Sequence, residues 1–179
     1  RVHNGLDAAA TPVPTDVEVA ALRASLGIAP GVPVLAGVLR LSPEKRPQLW
    51  LDVVARLRER FPALRALHVG HGPEHDVVQA RVRELGLQDT VLLLGRRSDP
   101  LHVLRCADLL VLVSTFEGTP NVALEAQWLE RPVVCTAAGG SVEAVQHGVT
   151  GFVVEQPETA ALAEACAKLF ADGAARERM

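Results

Sequence analysis

The stretch "VPVLAGVLRLSPEKRPQLWLDVVARLRER", residues 32–60, decides the fold. It opens on a short β-rich apolar run, "VPVLAGV" (32–38), and closes on "PQLWLDVVARLRER" (47–60), where Leu49, Val53 and Leu57 recur at helical spacing beside Trp50 and Val54. Between them lies a charged loop. One strand, one loop and one amphipathic helix make a half-turn of a parallel α/β unit.

The same beat repeats outward in both directions. "LRALHVG" (64–70) leads into a helix around 74–85, and "TVLLLG" (90–95) leads through "RRSDP" into the short helix "LHVLRCA". "DLLVLVS" (108–114) precedes a helix expected from about 120 to 130. "PVVCT" (132–136), a Gly-Gly loop, a short helix around 141–147, "GFVV" and an Ala-rich helix at 158–171 follow. Upstream, loop-like "AAATPVPTD" (8–16) precedes a small helix carrying Val19, Leu22 and Leu26. Continuous apolar strands alternating with helices imply an α/β fold, a Rossmann-like doubly wound parallel sheet of about six strands covered on both faces. In such sheets ligands sit at the carboxyl ends of the strands. Function is therefore sought in loops 39–46, 70–74, 95–99 and 114–121.

Composition narrows the partners. The 179 residues suit one domain with its own core, and 49% apolar content excludes a disordered chain. A net charge of −3 with scattered Lys and Arg argues against nucleic acid or an anionic membrane as the main partner. Without Tyr and with 3% aromatics, stacking platforms for single strands are missing as well. Cys106, Cys135 and Cys166 lie far apart among apolar neighbours, which reads as buried thiols of a reducing cytosol. The six histidines are scattered singly, so no metal spacing appears. No stretch approaches the ~20 apolar residues of a membrane helix. The first residue is Arg and no signal-peptide pattern follows, so the chain is expected to be a piece of something longer.

"STFEGTPNVALEAQ" (114–127) carries two acids, Glu117 in the loop and Glu125 inside the following helix. Thr119 is the expected N-cap, with Pro120 at the first helical position. Glu125 falls on a half-apolar face, where a charge wants a partner. On spacing alone, two solvated acids and two hooks for one polar ligand both remain open. "LRLSPEKRP" (39–47) adds Arg40 after the first strand and Lys45 before the helix, two cations at the same edge. Beside a helix N-terminus they form an anion cradle, and loop carboxylates suit sugar hydroxyls. A solvated network of Glu44, Lys45 and Arg46 is the plainer alternative.

Taken in order, these pieces resemble the nucleotide-sugar-binding, C-terminal half of retaining glycosyltransferases of family 4 (group 1 glycosyltransferases), which have the two-domain GT-B architecture. "VHNGLD" (2–7) is similar to that family's entry turn, "LRLSPEKRP" to its diphosphate loop and "GHGPE" (70–74) to its short glycine loop. "FEGTPNVALEA", followed by "RPVVCTAAGGSVEAVQHGVTGFVV", is similar to its Glu-seven-residues-Glu signature. The chain departs from the pattern at Pro120, which removes an amide donor, and at Leu39, ahead of Arg40 where a Gly-Arg pair is common.

The resemblance implies roles. Arg40 and Lys45 would hold the diphosphate and stabilise the departing nucleotide, and Glu117 would bind hydroxyls of the donor sugar. The backbone amides of Gly118, Thr119, Asn121 and Val122 would lie close to sugar and phosphate. Glu125 would hydrogen-bond the ribose, while Gly95 and Arg96 would border the base. Arg40, Lys45 and Glu117 are thus the catalytic set, with no metal and no cofactor beyond a nucleotide-diphosphate sugar, UDP favoured. Residues 1–179 would form one donor-binding domain of a cytoplasmic enzyme of polysaccharide biosynthesis. Its partner, the acceptor-binding N-terminal domain, would carry any peripheral contact with the inner face of the membrane. Two alternatives stand beside this: a nucleotide-sugar-binding module without transfer activity, and a sugar-nucleotide 2-epimerase-like isomerase. A nicotinamide dehydrogenase fits poorly, since charges replace the glycine fingerprint after the first strand.

Singletons have plain readings. His71 is a loop histidine near the ligand edge, Cys135 is core, and Trp50 and Trp128 are packing residues. Asn4-Gly5 is a turn signal, and Glu143 is an acid in the first turn of its helix.

Overall fold

The computed structural model describes residues 5–7, 9 and 11–179. Residues 2–4 of the expected entry turn, Asn4 of its Asn4-Gly5 signal among them, lie outside the described residues. In chain order the elements are α1 (Asp16–Ser25), β1 (Val34–Val38), α2 (Pro47–Arg60), β2 (Arg65–Val69), α3 (His75–Glu84), β3 (Val91–Leu93) and α4 (Pro100–Cys106). Then come β4 (Leu109–Leu112), α5 (Asn121–Trp128), β5 (Val133–Thr136), α6 (Ser141–Ala144), β6 (Gly151–Val154), α7 (Thr159–Ala171) and α8 (Gly173–Arg178).

The six strands form one parallel sheet in the order β3-β2-β1-β4-β5-β6. The chain works outward from β1 to β3, then crosses back to lay β4 on the other side of β1, with Leu35 opposite Leu109 and Ala36 opposite Leu110. That reversal is the switch point of a doubly wound sheet, and in such sheets ligands bind outside the carboxyl ends of the two strands that flank it.

The four inner strands, β2, β1, β4 and β5, bury both faces, which is why their apolar runs are continuous rather than alternating. Along β4, Leu109 and Val111 enter a core with Trp50, Leu51, Leu57, Val78 and Leu162. Leu110 and Leu112 enter the opposite core with Leu67, Leu104, Ala123 and Ala126. Thus α2, α3 and α7 cover one face, and α1, α4 and α5 the other. Each wholly buried Leu or Val contributes roughly 1.5–3 kcal/mol, so two full cores are ample for a chain of this size.

Helix starts follow local chemistry. Thr15 and Glu18 cap α1 reciprocally, the Thr15 hydroxyl accepting from the Glu18 amide and the Glu18 carboxylate from the Thr15 amide. Pro47 opens α2, as its fixed φ favours. The start of α5 differs from expectation: Pro120, not Thr119, is the N-cap, and the helix begins at Asn121. The reason is visible in the backbone, since Pro120 at φ −73, ψ 106 is still extended. The loop before α2 holds a 3-10 turn, Pro43–Lys45, that periodicity does not reveal, and α8 is likewise unannounced. It starts where the Asp172 side chain accepts from the Ala175 amide. Among the described residues no helix is long and apolar enough to cross a membrane.

Candidate functional site

Because β1 and β4 are neighbours, the loops that follow them run side by side. Lys45, at the end of the 3-10 turn, reaches across and donates from Nζ to Glu117 Oε1 at 2.6 Å. The hydroxyl of Ser114, buried at the end of the β4 run, donates to the same oxygen at 2.5 Å. Both ends of the pair are largely shielded, with side-chain exposures of 23% for Lys45 and 11% for Glu117. Their attraction is therefore less screened than that of a surface ion pair. Among the described residues no hydrogen bond reaches the second oxygen of Glu117, and Lys45 engages one of its three donors.

Further bonds fasten the two loops. The Thr115 amide donates to the Glu44 carbonyl at 2.8 Å. Arg46 Nε donates to the Val113 carbonyl, and Arg46 Nη2 to the Ser114 carbonyl at 3.0 Å. The Thr136 hydroxyl, from the end of β5, donates to that same Ser114 carbonyl at 2.7 Å. Burial lowers the pKa of the Arg46 guanidinium from its usual value. Arg46, read in sequence as one member of a solvated network, is thus a structural tie.

The glycine loops give room for these crossings. A Cβ on Gly140 would stand 2.1 Å from the Gly118 carbonyl oxygen, and the Gly140 amide donates to the Glu117 carbonyl at 3.0 Å. After β2, a Cβ on Gly72 would stand 2.1 Å from the Leu41 carbonyl oxygen. Only glycine permits such close passage of two backbones.

Not every predicted group joins this centre. Arg40 is exposed beyond the end of β1, close enough to Glu44 to help hold that carboxyl below its ordinary pKa, after the larger effect of the Ser42 hydroxyl. No hydrogen bond among the described residues joins it to Lys45 or Glu117. Glu125 is half-buried one turn inside α5, and burial pushes its pKa up. It lines a separate cavity of about 500 Å³ with Leu6, Pro12, Ser98, Asp99 and Leu101. Gly95 takes a left-handed φ of 65, and its carbonyl accepts from the Gly70 amide at 2.8 Å. Arg96 is exposed; its neighbour Arg97 is the organised one, forking onto both oxygens of Asp99 at 2.8 and 2.7 Å. That fork raises the Arg97 pKa and lowers that of Asp99.

Gly118 is exposed, Thr119 and Val122 are half-buried, and Asn121 is exposed at the first position of α5. Sequence reasoning missed Ser114, Arg46 and Thr136. Ser114, three residues before Glu117 at a strand end, carried a readable signal; Arg46 and Thr136 carried none.

Where they are described, the singletons sort as expected except Trp128, read in sequence as a packing residue. His71 is exposed and stacks on His75 with ring centroids 4.9 Å apart. Cys135 is buried, and Glu143 lies in the first turn of α6. Trp50 is buried, whereas Trp128 is 40% exposed.

Comparison with known proteins extends the picture. Residues 18–179 match the family described as Glycosyl transferases group 1. A D-inositol 3-phosphate glycosyltransferase of Nocardia farcinica is 38% identical over 170 residues, covering 89% of this chain and 38% of that protein. The Vi polysaccharide biosynthesis protein VipC/TviE of Salmonella typhi is 37% identical over 132 residues, covering 74% of this chain and 23% of that protein. The chain therefore spans well under half the length of these relatives. Among solved structures, Anabaena HepE in complex with UDP-glucose superposes with a TM-score of 0.88 at 30% identity, covering 98% of this chain and 48% of that one. A glycosyltransferase from Rickettsia africae shares the fold, with a TM-score of 0.83 at 22% identity over 96% of this chain and 46% of its own. A family match running through nearly the whole sheet, from α1 to the last residue, leaves one assignment: the chain belongs to the group 1 glycosyl transferases.

Proposed function

We propose that this chain is the donor-binding domain of a retaining, metal-independent glycosyltransferase of family 4. The enzyme moves a sugar from a nucleoside-diphosphate sugar, UDP favoured, to a glycan, lipid-linked or small-molecule acceptor. The observation that carries the reading is the Lys45–Glu117 pair, set at the switch point between β1 and β4. A cation and a carboxylate side by side suit a diphosphate joined to a sugar, which supports the reading. The UDP and UDP-glucose complexes of the Anabaena structure support the choice of nucleotide, and the Salmonella relative supports a role in polysaccharide biosynthesis.

Each group then has a task. The two remaining donors of Lys45, with the guanidinium of Arg40, hold the diphosphate oxygens. The first-turn amides of α5 and the Gly118–Thr119 backbone add N–H dipoles to the same charge. The free oxygen of Glu117 accepts from sugar hydroxyls. Glu125 accepts from the ribose, and the Gly95–Arg96 backbone borders the base.

In the transfer step the bond from the anomeric carbon to the phosphate oxygen breaks and its electron pair stays on the diphosphate. The acceptor oxygen bonds the same carbon from the same face, and its proton passes to a phosphate oxygen. Lys45 and Arg40 stabilise the negative charge that develops on the leaving group, an electrostatic contribution that needs no metal. The acceptor is held by an N-terminal domain outside these residues, at a cytoplasmic site on the inner face of the membrane.

Titration calorimetry with UDP, GDP, ADP and UDP-glucose tests the reading. UDP and UDP-glucose are expected to bind, UDP more tightly than GDP or ADP. A folded sample that binds none of the four at millimolar concentration overturns it.

A further inference from the structure

Arg46 is one of two non-glycine described residues with positive φ, the other being Glu130 just beyond the end of α5. Arg46 instead sits at the N-cap of α2, at φ 47, ψ 55, a position normally occupied by an extended residue with a short polar side chain. A left-handed conformation is strained for a non-glycine residue, and the Arg46 side chain gives α2 no capping bond in return. Strain of this kind persists where surrounding contacts over-determine it, and it gathers at functional sites.

What the strained backbone secures is the direction of the guanidinium. It turns away from α2 and donates to two successive carbonyls, Val113 and Ser114, of the neighbouring loop. The residue on its one side, Lys45, bonds Glu117; the residue it grips, Ser114, bonds the same Glu117 oxygen through its hydroxyl. A closed circuit results: Lys45 and Arg46 on one loop, Ser114 and Glu117 on the other. A planar fork spanning two carbonyls fixes distance and angle together, which a single ammonium does not.

We propose that Arg46 is the positioning residue of the donor site, locking loop 39–46 to loop 113–120 so that Lys45 and Glu117 keep one fixed separation. This rests on the donor-site reading above. It gives Arg46 no contact with ligand: it acts through the two groups that hold diphosphate and sugar. It also explains why a charged, half-buried side chain occupies a position where the backbone favours glycine.

The test uses two variants of the chain, Arg46→Gly and Arg46→Lys. Glycine adopts the left-handed backbone without strain, so the fold is kept while the clamp is removed. Lysine keeps the charge and loses the fork. In the absence of ligand, amide hydrogen exchange at Thr115 is expected to speed up at least about tenfold in both variants. Affinity for UDP-glucose is expected to fall about ten- to a hundredfold in both, since small misplacements of binding groups are costly, while uridine affinity stays within about twofold.

A merely structural role would lower both affinities together or neither. Unchanged Thr115 exchange in Arg46→Gly overturns the proposal, as does faster exchange with unchanged UDP-glucose affinity. Arg46→Lys binding UDP-glucose like the parent overturns it too, because charge alone would then suffice. If the parent chain binds neither UDP nor UDP-glucose, the donor reading fails instead, and the exchange measurement still decides whether Arg46 pins the loops.

Discussion

Lys45 Nζ and Glu117 Oε1 stand 2.6 Å apart although 72 positions separate them in the chain. Their meeting is a consequence of strand order, since β4 lies beside β1 and not beside β3. If Lys45 holds the diphosphate, Lys45→Ala should weaken UDP binding by roughly ten- to a hundredfold, the usual worth of a charge-assisted hydrogen bond. Uridine, which lacks phosphate, should bind within about twofold of the parent. Calorimetry with both ligands checks this, and equal losses for both would show that Lys45 supports the fold rather than the phosphates. Glu117→Gln should separate differently, weakening UDP-glucose more than UDP.

Glu125 carries a cost that binding would redeem. Burial raises its pKa above the ordinary 4.5, so between that value and the raised one the folded state holds a proton that the unfolded chain has released. Stability due to this group is thus present at low pH and declines as pH rises through the window. Glu125→Gln removes the penalty and should raise Tm at pH 7, while weakening every ribose-bearing ligand. In the parent, uridine affinity should fall as pH drops through the raised pKa, because a protonated carboxyl accepts fewer hydrogen bonds. A Glu125→Gln protein that melts earlier at pH 7 and binds uridine normally would refute both halves.

The sheet was legible in the sequence because its strands are unbroken apolar runs and Pro47 marks a helix start without ambiguity. Lys45, Glu117 and Glu125 stood out as charges at strand ends or on a half-apolar helix face. Their grouping was another matter. Nothing local says that β4 returns to the side of β1, and that adjacency alone brings loop 39–46 against loop 113–120. Arg46 looked like a third surface cation, since its role depends on a left-handed backbone that composition does not betray. Thr119 and Pro120 were both acceptable helix starters, and the extended ψ of Pro120 decided between them. Arg40 and Glu125 share the sheet edge with the ion pair but not its contacts.

His68 on β2 sets the acid limit of the fold. It is 1% exposed, neither ring nitrogen has a hydrogen-bond partner among the described residues, and its ring meets Trp50 edge-on with centroids 5.4 Å apart. Burial holds it neutral and lowers its pKa from 6.5 to about 4. Below 6.5 the unfolded chain takes up a proton that the folded chain refuses, so stability falls as pH drops from 6.5 towards 4 and levels off beneath. The slope attributable to one such proton is about a factor of ten in the folding equilibrium per pH unit. Urea melts between pH 7 and 4 should show it, and His68→Leu should flatten it whatever the change in stability at pH 7. An undiminished slope in that variant would assign the acid sensitivity to other groups.

The Gly139-Gly140 turn makes the last prediction, because it separates the need for room from the need for backbone freedom. Gly140 lacks positive φ, yet its missing Cβ would lie 2.1 Å from the Gly118 carbonyl oxygen and 2.9 Å from the Thr119 amide nitrogen. Those are backbone atoms, which cannot swing aside as a side-chain tip can. Gly140→Ala must therefore push loop 113–120 away from α6, at an overpacking cost of about 1–3 kcal/mol. For a chain of this length each kcal/mol lowers Tm by roughly 2–4 °C. Gly118 faces open space, with nothing within 4 Å of its Cβ position, so Gly118→Ala should leave Tm within about 2 °C of the parent. Displacing the loop also moves Glu117, whose carbonyl accepts from the Gly140 amide, so Gly140→Ala should lose UDP-glucose affinity together with stability. Calorimetric melts of the two alanine variants decide the matter: Gly140→Ala melting with the parent, or Gly118→Ala melting well below it, would show that close packing beneath the Glu117 loop is not what that glycine provides.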